Sequence, residues 1–214
     1  MKTFLCFYFL LLPLFFVQAQ RTTQWAARSP DALQEYRNGR YEEAAQISKA
    51  EIAVNPNNLE SYVILCRSLV NLGRYEESQT YALAGRNISR YDPRIIGILG
   101  EVYYFQGRNN EALQYFQEYV NLAPQGGQIN TVYYYVGEIY IRQGRYRRAD
   151  IALSTAVYYM PRNADWWSRL AYARENAGEF RTAASAYEQA LALNENLTDA
   201  RKGLERVMAN LADR

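Results

Sequence analysis

The chain has 214 residues, with 24 lysines and arginines against 22 aspartates and glutamates, a formal net charge of +2, and no histidine. The near-neutral balance argues against a nucleic-acid binder, which carries a clear basic excess. Without histidine, the commonest general base and metal ligand are both missing, so function is sought in surfaces before chemistry.

The first segment, MKTFLCFYFLLLPLFFVQAQ, has one positive charge at Lys2, an apolar run from Phe4 to Val17, and the ending Val17-Gln18-Ala19. That is the layout of a secretory signal peptide over residues 1–19, with cleavage expected after Ala19. The apolar run of fourteen residues falls short of the ~20 that span a bilayer as a helix. An uncleaved anchor is the competing reading, and only through it would the chain meet a membrane. Cleavage leaves 195 residues, a formal charge of +1 and one cysteine, Cys66. No internal disulfide is then possible, and packing alone must hold an exported protein. The leader and the disulfide-free mature chain point to the bacterial periplasm or cell envelope, with secretion as the other outcome of export.

After a lead-in over residues 20–28, the chain repeats itself. Ser29-Pro30-Asp31 reads as an N-cap, a first-turn proline and an acid favoured by the helix dipole, opening a short helix before Gly39. Aligned on glycine, the segments NGRYEEA, LGRYEES, QGRNNEA, QGRYRRA and AGEFRTA place Gly39, Gly73, Gly107, Gly144 and Gly178 at spacings of 34, 34, 37 and 34. Apolar residues recur at helical spacing on both sides of each glycine, and prolines such as Pro56, Pro124 and Pro161 close the second segments. Each unit therefore reads as helix, glycine-capped turn, helix. The units run at about 29–58, 59–92, 93–129, 130–163 and 164–197. In the second, Asp92-Pro93 opens the next helix in place of a closing proline. The stretch QGGQI after Pro124 accounts for the 37-residue spacing, as a hinge or a tolerated insertion. The tail, residues 198–214, carries Ala200, Leu204, Val207 and Leu211 on one face, as a helix covering the last repeat requires.

These residues resemble the tetratricopeptide repeat, whose 34-residue pattern runs W-x2-L-G-x2-Y…A-x3-F…P. In the third unit Leu99-Gly100, Tyr103, Gly107, Ala112, Phe116 and Pro124 fall in register; the fourth offers Val136-Gly137, Tyr140, Ala149 and Pro161; the fifth offers Trp167, Leu170-Ala171 and Ala183. The resemblance implies an all-α, right-handed solenoid of stacked helix-turn-helix units with a C-terminal capping helix. It also implies that Cys66, in the slot of Gly100 and Gly137, is a buried and inert thiol. The first helix of each unit lines a concave groove in this family. That face takes in Val63, Arg67, Val70 and Asn71, then Arg94, Gly97, Glu101 and Tyr104. The fourth unit adds Thr131, Tyr134, Glu138, Ile141 and, at its edge, Arg142; the fifth adds Asp165, Ser168, Tyr172 and Glu175. Arg67, Arg94, Glu101, Tyr104, Tyr134, Glu138, Arg142, Tyr172 and Glu175 are the candidate partner-binding residues.

Glu101 and Glu138 occupy equivalent places on adjacent units, with Tyr104, Tyr134 and Tyr172 beside them and Gly97 leaving space. Such a patch suits an arginine- or lysine-bearing peptide or helix of an envelope protein. The competing reading pairs Glu101 with Arg67 or Arg94, and Glu138 with Arg142. Within TVYYYVGEIYIRQGRY, consecutive residues project about 100° apart. Tyr133 and Tyr140 pack within their own unit, Tyr135 points to a neighbouring unit, Tyr146 starts the second helix's contact, and Tyr134 stays free for a partner. There is no metal-ligand cluster, no phosphate-binding loop and no nucleophile with a base, so the expectation is a non-catalytic scaffold without cofactor or metal. The alternative is a transport-accessory or small-ligand-binding protein that uses the aromatic groove. Nothing in the sequence bears on oligomeric state.

Overall fold

The computed structural model describes residues 31–213; the readings made on the leader, the lead-in and Ser29-Pro30 lie outside them. Eleven helices and no strands are found among the described residues. They are α1 (Ala32–Arg37), α2 (Tyr41–Val54), α3 (Leu59–Asn71), α4 (Tyr75–Ile88), α5 (Pro93–Phe105) and α6 (Asn109–Leu122), followed by α7 (Ile129–Arg142), α8 (Tyr146–Tyr159), α9 (Ala164–Asn176), α10 (Phe180–Leu193) and α11 (Thr198–Ala212). No helix among them is long and apolar enough to cross a membrane.

Each pair is joined at a glycine in the left-handed region, with φ of 76°, 72°, 75°, 68° and 81° at Gly39, Gly73, Gly107, Gly144 and Gly178. Around Gly73, its own N–H reaches Val70 O at 3.0 Å and the Arg74 N–H reaches Leu69 O at 2.8 Å. The same two bonds recur at the other four turns. A left-handed residue closing the last carbonyls in this way ends one helix and aims the chain into the next. At the first helix the expectation needs correction: Asp31 is itself the N-cap, its carboxylate accepting from the Leu33 and Gln34 backbone N–H groups. Asp92 and Asn163 do the same for α5 and α9, and Pro93 takes the first helical position, where its missing N–H costs nothing.

Large side chains of second helices fill the space left by small residues of first helices. Phe116 of α6 lies over Gly100 of α5, and Leu153 of α8 over Gly137 of α7, both fully buried. Cys66 is fully buried too; its thiol lies 3.6 Å from Ser78 O, and the Ser78 hydroxyl donates to Cys66 O at 3.0 Å. Burial pushes this thiol up to about 12, so it stays protonated and unreactive at neutral pH. At the C-terminal end, α11 packs on α10 and α9, burying Ala200, Gly203 and Val207. Gly203 gives the Tyr187 ring its room, since a Cβ there would sit 2.2 Å from Tyr187 Cζ.

First helices also approach the first helix of the next unit backbone to backbone, from α1 against α3 through to α9 against α11, whereas α2, α4, α6, α8 and α10 do not come so close to one another and are joined only by long side chains, as in Lys49–Glu77 and Arg86–Glu118. A stack that touches along one row and splays along the other bends toward the touching row. The first helices therefore form the inner, concave wall of an all-α solenoid.

Candidate functional site

The middle of the concave wall is made by α5 and α7, flanked by α3 and α9. The structure separates the sequence-derived candidates sharply. Arg94 is engaged within the fold: its guanidinium is held by the Asp92 cap, with Nη2 to Oδ2 at 3.0 Å, and by Glu60 of the preceding unit. Glu138 is corrected as well. It is buried, at 8% exposure, and its carboxylate takes a two-pronged ion pair from Arg169, at 2.7 and 2.9 Å; Arg142 is not its partner. Burial opposes the charge on Arg169, but Glu138 more than offsets it and holds the guanidinium above its ordinary range. Glu175 is likewise engaged, accepting from Arg206 at 2.7 and 2.9 Å and from the Tyr187 hydroxyl at 2.7 Å. Burial alone would raise its pKa, yet these donors keep the carboxyl below the usual range.

The aromatic candidates are mostly spoken for. Tyr135 does reach the neighbouring unit, stacking on Phe116 at 5.9 Å and meeting Tyr104 at 4.6 Å between ring centroids. Tyr134, expected free, is half-buried and stacked on Trp166 of α9 at 4.9 Å and 10°. That burial, aided by nearby Glu138, pushes its hydroxyl up to about 12. Tyr104 is buried; burial raises its pKa, with Arg142 working in the opposite direction. Tyr172 is half-buried, with the Arg169 guanidinium 5.2 Å from its ring centroid.

Glu101 differs from its equivalent Glu138 and from Glu175. It has no ion pair, and among side-chain donors it takes one bond, from Gln128 Nε2 at 3.3 Å. Burial pushes its carboxyl above the usual range, opposed by the positive charge of half-buried Arg67. The space expected at Gly97 is filled: a Cβ there would lie 2.9 Å from Gln128 Oε1 and 3.3 Å from Tyr119 Cδ2. Gln128 closes the longer link between the third and fourth units, and its backbone N–H is fixed on the Tyr119 hydroxyl at 3.1 Å. The insertion is thus part of the groove. The reason Glu101 lacks the arginine that Glu138 has is positional. Both glutamates lie six residues before their turn glycines, and the place of Arg169, nine residues before Gly178, is held by Tyr135 before Gly144.

Arg142 is exposed and has no carboxylate partner. Its guanidinium lies over the Tyr104 ring at 4.0 Å from the centroid, and Nη1 donates to Tyr104 O at 3.4 Å. Arg169, Trp166, Gln128 and Arg206 escaped the sequence reading. One signal for the arginines was present, because Arg169 follows Glu138 and Arg206 follows Glu175 by the same 31 residues.

The strain at Glu101 has a measurable consequence. Its folded-state pKa lies above the unfolded value, so the charged form destabilises the fold at neutral pH, and this is relieved as pH falls through the raised pKa. Glu101→Gln is expected to be more stable than the parent at pH 7 by about 1 kcal/mol, the size of an ordinary single-site effect. Melting curves across pH should show the gap closing on acidification; a constant gap would contradict an ionised, poorly solvated Glu101.

Two stretches match the family described as Tetratricopeptide repeat, residues 93–125 and 167–201. Among characterised proteins, the chain is 28% identical over 135 residues to the BBSome complex member BBS4 homolog of Drosophila melanogaster, covering 59% of this chain and 28% of that protein. The chain thus spans less than a third of that relative's length. Among solved structures, MamA superposes with a TM-score of 0.64 at 18% identity over 77% of this chain and 88% of that one. YrrB, described as a TPR protein with an unusual peptide-binding site, superposes with a TM-score of 0.70 at 16% identity, covering 79% and 86%. At these identities the likeness is one of fold.

Proposed function

Since the chain is a tetratricopeptide-repeat protein, we propose that it is a non-catalytic interaction scaffold whose concave groove receives a segment of a partner protein. The observation that carries this is Glu101: a carboxylate on the groove wall without an ion pair, held among side-chain donors by Gln128 Nε2 at 3.3 Å and close enough to the Tyr135 hydroxyl to act on it. An unneutralised charge in a partly dehydrated place favours a ligand that brings the opposite charge. The peptide-binding site of YrrB, on the same kind of fold, supports the reading by analogy. The signal-peptide layout of the first segment supports export, to the bacterial periplasm or cell envelope or, otherwise, by secretion. A small-ligand groove is the weaker alternative, because the ring faces that would line it are stacked on Trp166, on Arg142 and on one another.

Photo-crosslinking in the native host tests this. Asn176, exposed on α9, holds in its unit the place that Arg142 holds in α7, whereas Ile151 is 70% exposed on the second-helix side. A photoreactive residue at position 176 is expected to capture a discrete protein partner, and one at 151 to give none of it. Capture of the same partner from 151 alone would remove the groove from the account.

A further inference from the structure

Four charged residues lie on α5 and α7, the two helices at the middle of the groove: Arg94, Glu101, Glu138 and Arg142. Two are cancelled within the fold, Arg94 by Asp92 and Glu60, and Glu138 by Arg169. The other two, one of each sign, have no ion pair and do not pair with each other. Between them lie the rings of Tyr104 and Tyr135, 4.6 Å apart, with Arg142 on the Tyr104 face and Glu101 felt electrostatically by the Tyr135 hydroxyl. Arg142 is also pre-set. Its plane is fixed by the ring beneath and by the Tyr104 carbonyl, which leaves further N–H donors for a carboxylate.

We propose that the partner segment carries an acidic and a basic side chain close together, the acid for Arg142 and the base for Glu101. This rests on the groove being the binding face and names what it selects. A purely basic segment would satisfy Glu101 but set its charge against Arg142, and a purely acidic one would do the reverse. Unlike charges at two neighbouring positions reward only a segment that presents both, in the matching order, and penalise all others. Glu138 does not enter the recognition, because its charge is already consumed by Arg169.

The probe is a random dodecapeptide library displayed on phage and selected against the full chain, Glu101→Gln and Arg142→Gln, each checked for parental helicity. Parent-selected peptides are expected to carry both an acid and a base, and to lose about tenfold in affinity on each protein substitution. Replacing the peptide acid by glutamine should weaken binding to the parent but add nothing further against Arg142→Gln; replacing the base should behave in the same way against Glu101→Gln. Peptides of one charge sign, or charge replacements that show no coupling to their assigned residue, would overturn the inference. If such peptides still cross-link from position 176, the groove stands and only its charge selectivity falls. If selected peptides cross-link from 151 instead, or the library yields none, the groove reading falls with it.

Discussion

Gly137→Leu is expected to lower stability by roughly 3 kcal/mol, at the upper end for overpacking a close-packed core, and the melting temperature by about 6–12 °C for a domain of this size. The ground is the approach of two helices. A Cβ built on Gly137 would lie 2.5 Å from Leu153 Cγ and 2.8 Å from its Cδ2. Leu153 is fully buried, so it has no solvent to move into, and α7 and α8 would have to separate. The damage would spread, because α7 also carries Tyr135 and Tyr134 into the units on either side. Adding Leu153→Ala should restore part of the loss by vacating the contested volume. Gly127→Ala is the control, since a Cβ there meets nothing within 4 Å. Denaturation of the four proteins checks this; an unchanged midpoint for Gly137→Leu would mean that the helix register is wrong.

The features legible in the sequence were those that repeat. Five glycines at a near-constant spacing gave the turns, and the structure finds all five left-handed. The slot that Cys66 shares with Gly100 and Gly137 gave the sites of close approach, and the structure buries all three. From 100° per residue Tyr135 points at a neighbouring unit, and the structure finds it on Phe116. What could not be read from one helix was what the next helix brings to meet it. Read within its own unit Tyr134 is free; Trp166, from the following unit, stacks on it. For Glu138 its own unit offers only Arg142; the arginine that takes it, Arg169, comes from the next unit, although the 31-residue offset shared by Glu138–Arg169 and Glu175–Arg206 is present in the sequence. Gln128 escapes the pattern because the other units have no residue in its place. The three-residue insertion that carries it departs from the pattern, and pattern arguments are silent about departures. At Asp31 the error was one of position, since Asp and Ser serve equally as N-caps and the sequence offers both within three residues.

Arg169→Met is the second substitution with a large expected effect. It leaves the Glu138 carboxylate among Tyr134 and Tyr104, with its two charge-assisted bonds gone. An exposed pair is worth only about 0–1 kcal/mol, whereas stranding one member of a buried pair costs about 3–5 kcal/mol. The Glu138 side chain is 11% exposed and that of Arg169 is 35% exposed, which sets the expectation between these limits, at about 2–3 kcal/mol. The double variant Arg169→Met with Glu138→Leu removes the stranded charge and should recover most of the loss, so that the two substitutions couple strongly in a cycle of chemical denaturation midpoints. A cost for Arg169→Met below about 0.5 kcal/mol would show that Glu138 is solvated after all and open to a partner. The same substitution also bears on selectivity. With Arg169 gone, Glu138 would join Glu101 as a second uncancelled acid beside Tyr104, and library selection should shift from mixed-charge peptides toward basic ones.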